Sequence, residues 1–186
     1  MKHKFLAILL VFASAAGQAA DRTWTFSYTG FYNQDTHLFD PTYSIAGSFT
    51  GDDRNGDGTL DGSELSSFWV DTTEFVGCGS VNTPYYNCGM DHFSYQHSSL
   101  QFDTKVASSD PEGIVSRGQV ISAGRSVYSY LDAPFGSSES TMVWTNQTRF
   151  DLQSPVPEAD TYAMLLAGLG CLGFWARRRQ QRSTAQ

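Results

Sequence analysis

The chain has 186 residues, room for one folded domain plus terminal signals. It is 14% aromatic, carries 17 glycines and has few charges outside local clusters, which suits a folded β-rich domain better than a disordered chain. Residues 21–156 hold six basic against seventeen acidic residues, a formal net charge of −11; such a surface repels nucleic acid and anionic lipid and attracts cations.

The first segment, residues 1–20, reads as a secretory signal peptide. Lys2 and Lys4 make a basic start, an apolar run covers residues 5–16, and small residues including Ala15, Ala16, Gly17, Ala19 and Ala20 follow. Cleavage after Ala19 or Ala20 would leave an exported β domain at residues 21–155.

That domain reads as short strands. In RTWTFSYTG, Trp24, Phe26 and Tyr28 alternate with Thr25, Ser27 and Thr29, the period of a half-buried strand. YSIAGSF repeats the pattern with Tyr43, Ile45 and Phe49. HFSYQH puts Phe93 and Tyr95 on one face, and LQF adds Leu100 and Phe102. GIVSRGQVIS, RSVYSYL and TMVWTNQTRFDL follow, with turn-rich SSDPEG and APFGSSES between strands. The expected fold is all-β, an antiparallel sandwich or jelly-roll-like domain. Trp24, Trp69 and Trp144 present two readings, a sugar-stacking platform or core, and strand alternation favours core. Tyr85 and Tyr86 are expected to pack beside a disulfide.

Between the second and third of these strands lies DRNGDGTLDGSE, residues 53–64. It matches the twelve-residue EF-hand calcium loop. Asp53, Asn55 and Asp57 fill positions 1, 3 and 5, and Gly58 takes position 6, where the backbone turns sharply. Thr59 offers its carbonyl at position 7, Asp61 stands at position 9 and Glu64 at position 12. A hard cation with six to eight oxygen ligands explains carboxylates crowded at this spacing. The competing reading is an Asp/Gly-rich turn, with a hairpin at Asn55-Gly56. Upstream, the sequence is strand-like and not an entering helix; downstream, SELSSF is expected to form one helical turn. A single loop without paired helices points to a structural calcium site with an affinity of about 10⁻⁴–10⁻³ M.

Cys78 and Cys88, in CGSVNTPYYNC, are expected to pair in an oxidising compartment, which a loop this short would stabilise by about 2–3 kcal/mol. The third cysteine, Cys171, lies in the apolar tail. No G-x-S-x-G elbow, H-E-x-x-H or phosphate-binding glycine loop occurs, so no catalytic residue is assigned and a non-enzymatic role is expected. His92 and His97, five apart, are read as surface or core residues on opposite strand faces. Asn146-Gln147-Thr148 is a glycosylation sequon only for a eukaryotic secretory route.

The chain then turns apolar. Residues 162–176 are apolar or small throughout and are followed by Arg177, Arg178 and Arg179. Fifteen helical residues span about 22 Å, short of the roughly 30 Å hydrocarbon core, a gap that local thinning or arginine snorkelling closes. The arginines act as a positive-inside stop, leaving residues 181–186 as a cytoplasmic tail. VPEADTYAMLLAGLGCLGFWARRR strongly resembles the PEP-CTERM sorting signal of Gram-negative bacteria: a Pro-Glu-Pro-like motif, a short transmembrane helix and an arginine cluster. Val156, Pro157 and Glu158 match the motif, and its third position holds Ala159 in place of proline. The resemblance covers about residues 156–180. It implies an exosortase, a membrane cysteine protease, as a partner that cleaves near Pro157-Glu158. It implies transient anchoring in the inner membrane, then the cell surface or an exopolysaccharide biofilm matrix. GSFTG before the calcium loop and SELSSF after it also resemble segments of other exported proteins of this kind. A carbohydrate-binding module of the matrix is the alternative function, and a secreted polysaccharide hydrolase a more distant one.

Overall fold

The computed structural model describes residues 21–154, together with residues 166 and 168–170. Within residues 21–154 the fold is all-β and antiparallel. The strands are β1 (Arg22–Asn33), β2 (Leu38–Gly51), β3 (Leu60–Asp61), β4 (Leu65–Val70) and β5 (Thr73–Glu74). After a short 3₁₀ turn at Cys78–Val81 come β6 (Tyr86–Gln96), β7 (Ser99–Ser109), β8 (Ser116–Ser122), β9 (Ser126–Asp132), β10 (Ser138–Val143) and β11 (Arg149–Gln153).

All eleven join one sheet, in the order β3-β6-β7-β8-β9-β10-β1-β2-β4-β5, with β11 also paired to β1. The expected sandwich or jelly roll is therefore replaced by a single curled sheet, a half-barrel. Curling brings the inner face of one limb against that of the other. Phe49 on β2 meets Phe93 on β6 at 5.4 Å, and Phe68 on β4 meets Phe93 and Phe102 at 5.0 and 5.2 Å. Phe26 on β1 adds Phe102 on β7 at 5.7 Å. The interior is thus an aromatic core, and its rings meet mostly tilted or edge to face, the arrangement their quadrupoles favour.

Register shifts on β1, β4 and β6 set which residues reach that core. On β1, Trp24, Phe26 and Tyr28 face inward as their alternation requires, and then the register shifts between Thr29 and Phe31. Gly30 sits at the shift with φ +86, and a Cβ there would lie 2.8 Å from the Phe39 ring. The extra residue changes the parity, so Phe31 becomes fully buried although it is odd-numbered. On β6 the shift between Met90 and His92 does the same, turning inward-facing Cys88 into inward-facing Phe93 and Tyr95.

SELSSF does not form a helical turn. Residues 65–70 are β4, paired along β2 with Phe49 opposite Phe68 and Gly47 opposite Val70. Burial decides it: Leu65, Phe68 and Val70 are inside and Ser66 and Trp69 outside, which no single helical turn could arrange. Gly47 is required here, since a Cβ would stand 2.2 Å from the Trp69 carbonyl oxygen and 2.6 Å from the Phe26 ring.

Candidate functional site

Residues 53–64 leave the end of β2 and return at the start of β4, but on the way they visit the opposite margin of the sheet. Leu60 and Asp61 pair with Tyr95 and Ser94 of β6, at the far end of the strand order. The loop therefore crosses the open side of the half-barrel. It is not a hairpin at Asn55-Gly56, because β3 pairs with β6 and not with β2.

Its local conformation is built from side chain to backbone hydrogen bonds. Asp53 accepts from the N–H groups of Gly56 (2.8 Å), Asp57 (3.2 Å) and Gly58 (2.8 Å). Asn55 accepts from Asp57 N–H at 2.8 Å, and Asp57 from Thr59 N–H at 2.8 Å. Asp61 accepts from the N–H and the hydroxyl of Ser63, both at 2.7 Å. These bonds, led by the Ser63 hydroxyl, hold the Asp61 carboxyl below the usual carboxylate range. Gly56 and Gly58 have φ of +72 and +81, the left-handed conformation that glycine adopts without strain.

Glu64 closes the loop. It is only 6% exposed, and its carboxylate accepts from Arg54 N–H (2.9 Å), Asn55 N–H (3.2 Å) and Asp61 N–H (3.3 Å). The Arg54 guanidinium donates in turn to the Ser63 carbonyl. Among the described residues, no three His, Cys, Asp or Glu side chains converge as a metal-holding group; the loop carboxylates are turned to backbone N–H groups instead. The donor set is all oxygen, with Asn55 and the Thr59 carbonyl beside the carboxylates, which is the chemistry of a hard cation.

Cys78 and Cys88 are joined by a disulfide, with Cα atoms 5.8 Å apart. Asn82 completes this second loop: its side chain accepts from Cys88 N–H at 2.8 Å and donates to the Cys88 carbonyl at 3.1 Å. Tyr86 packs partly against the core, whereas Tyr85 is 46% exposed.

Trp24 stacks on Phe49 at 5.0 Å, and Trp144 meets Phe31 edge-on at 4.7 Å, so both belong with the core. Trp69 does not: it lies on the outer face, 42% exposed. The three tryptophans form no common platform. His92 and His97 are both exposed; His97 sits in the β6–β7 turn with φ +48.

The signal peptide at residues 1–20 and the sorting residues Val156, Pro157, Glu158, Arg177, Arg178 and Arg179 lie outside the described residues. Residues 166 and 168–170, inside the expected 162–176 segment, are helical. Among the described residues no helix is long and apolar enough to cross a membrane. No curated protein matches the chain. No solved structure matches it either. A family comparison finds the PEP-CTERM protein-sorting motif at residues 155–180, two residues after β11 ends at Gln153. The chain is thus a protein carrying a PEP-CTERM sorting motif, the signal by which exosortase sorts proteins to the cell surface.

Proposed function

We propose that this chain is an exported, non-enzymatic display protein whose β domain is calcium-stabilised and delivered to the cell surface or the exopolysaccharide matrix. The signal peptide carries it across the inner membrane. The apolar helix at residues 162–176 holds it there, with Arg177, Arg178 and Arg179 on the cytoplasmic side. An exosortase-type protease then cuts near Pro157-Glu158.

The observation that carries this reading is the placement of the sorting motif. It starts at residue 155, directly after a strand hydrogen-bonded to β1 through Gln153 and Thr25. A cut near Pro157 would free the complete sheet with almost no residual stalk. The buried carboxylate among the described residues, Glu64, is engaged by three backbone N–H groups, which supports a structural role for it over an acid–base one. Calcium held by Asp53, Asn55, Asp57, Thr59, Asp61 and Glu64 would tie β2 and β4 to β3 and β6 across the open side of the half-barrel. The ion would supply positive charge to a loop that is otherwise self-repelling.

Fractionation of the native host tests this. The wild-type chain is expected at the cell surface or in the extracellular matrix. Replacing Arg177, Arg178 and Arg179 together by alanine, or deleting the exosortase, should leave it in the inner-membrane fraction or mis-sorted. Unchanged surface delivery in both strains would contradict the reading.

A further inference from the structure

A groove of about 280 Å³ opens on the outer face of the sheet, across β6, β7 and β8 to β9. Cross-strand register places Asn87, Ala107, Gly118 and Tyr130 side by side on four consecutive strands, all on this face. Ala107 makes a floor with almost no side chain, and Gly118 beside it is covered by Tyr130. The Tyr130 ring lies down across it: a Cβ on Gly118 would be 2.4 Å from the ring, so only glycine admits this pose. Tyr128 stacks beside Tyr130 with centroids 6.1 Å apart.

The opposite wall is Tyr85, and it is held firmly. Thr83 and Tyr86 exchange backbone hydrogen bonds at 2.8 and 3.3 Å, so Pro84-Tyr85 forms a tight turn. The Tyr85 carbonyl accepts from Ser109 N–H at 2.8 Å, and the turn stands between Asn82 and Cys88, which the disulfide and the Asn82 side chain fasten. Between the two rings the lining is neutral and polar: Asn87, Ser109 and Ser116. The charges nearby on the same face are Asp132, opposite Ser116, and Glu139, opposite Tyr130. Lys105, further along the face, is paired with Asp91 at 3.1 Å.

The geometry points to a binding site for a neutral carbohydrate chain in this groove, with Tyr85 and Tyr130 as stacking walls and Asn87, Ser109 and Ser116 as hydroxyl partners. Flat aromatic walls with small polar groups between them suit a ligand that has apolar C–H faces and a hydroxyl rim. The flanking carboxylates disfavour acidic polysaccharide. The site uses none of the residues of the calcium loop or the sorting signal, so it goes beyond the display reading and stands without it.

The test is calorimetric titration of the full chain in detergent with neutral hexaoses (β-glucan, galactan and mannan) and with an acidic oligogalacturonate. At least one neutral hexaose is expected to bind in the micromolar to millimolar range, and the acidic one at least about tenfold more weakly. Tyr85→Ala and Tyr130→Ala should each weaken binding at least about tenfold, while Trp69→Ala, on an exposed ring elsewhere, should leave it unchanged. Tyr85→Ala removes an exposed side chain, so its melting temperature should stay that of the wild type even where Tyr130→Ala unsettles the sheet. No neutral hexaose bound at 10 mM (about −2.7 kcal/mol), or binding indifferent to Tyr85→Ala, overturns the assignment.

Discussion

The Glu64 carboxylate accepts a hydrogen bond from the backbone N–H of Arg54 at 2.9 Å, so the last position of the acidic loop is fastened to its second. The same side chain also reaches Asn55 and Asp61, and it does so from a buried position at the head of β4. One carboxylate therefore sets the shape of a segment that joins the two margins of the sheet.

Calcium should stabilise the protein through this loop. For a dissociation constant between 0.1 and 1 mM, 10 mM calcium adds about 1.4–2.7 kcal/mol, and chelation removes it. Hydrogen exchange on chelation should accelerate first at Leu60, Asp61 and the facing part of β6. Glu64→Ala should abolish the calcium response and lower the melting temperature even without metal, since three backbone N–H groups lose their acceptor. Calorimetric scans with and without chelator check both effects; a wild-type melting temperature indifferent to chelation would remove calcium from the account.

Asp61 makes the same loop acid-sensitive. Its folded pKa lies below the ordinary carboxylate value, chiefly through the Ser63 hydroxyl. A depressed pKa contributes stability that is present above the unfolded value of about 3.9 and is lost as pH falls through the folded one. Metal-free protein should thus lose loop order below about pH 4, and Ser63→Ala should shift that loss to higher pH. Amide chemical shifts of residues 61–64 followed against pH would read it.

Tyr28 gives the alkaline counterpart. Burial pushes its phenol up to about 12, and the hydroxyl donates to the Leu100 carbonyl at 3.1 Å across the core. A raised pKa contributes stability that is complete below the unfolded value of about 10 and is lost as pH rises towards 12. Tyr28→Phe should cost about 1 kcal/mol at neutral pH, and the variant's stability should fall less than the wild type's between pH 10 and 12. Urea unfolding at both pH values measures the difference.

Thr104 is 2% exposed, and its hydroxyl has no hydrogen-bond partner among the described residues. It faces inward on β7, opposite Ile121. Valine keeps the shape and removes the stranded hydroxyl, so Thr104→Val should raise stability by about 1 kcal/mol. A lowered urea midpoint would mean the hydroxyl is bonded after all.

The disulfide loop should matter for stability and for the tyrosine groove. Replacing Cys78 and Cys88 by alanine should cost about 2–3 kcal/mol. Asn82→Ala should lower stability less, since it removes only two hydrogen bonds to Cys88. Denaturant midpoints for the two variants order the contributions.

Much of the fold was legible because apolar alternation reports burial directly: Trp24, Phe26 and Tyr28, or Leu100 and Phe102, face inward as their spacing requires. What covers that face was not legible. Alternation reads the same whether the opposite wall is a second sheet or the same sheet curled round, and only the long-range register separates them. The bulges at Gly30 and Asp91 were hidden too, since one extra residue shifts parity without changing composition. SELSSF misled because Ser and Glu suit a helical start, and pairing with β2 overrode that preference. The turn character of residues 53–64 was readable from their Asp and Gly spacing, yet the crossing to β6 was not, because two paired residues leave almost no pattern. The tyrosine groove escaped entirely: its walls come from a turn and a strand about 45 residues apart, and Tyr85, beside core-packed Tyr86, gave no sign of facing outward.

The most direct measurement is the intact mass and terminal peptides of the protein recovered from its native host, fraction by fraction. The expected result is a mature form outside the inner membrane that lacks about the first twenty residues and everything after about Pro157. A chain still ending in Arg177, Arg178, Arg179 and the residues beyond, found in membranes with no shortened form outside, would contradict it.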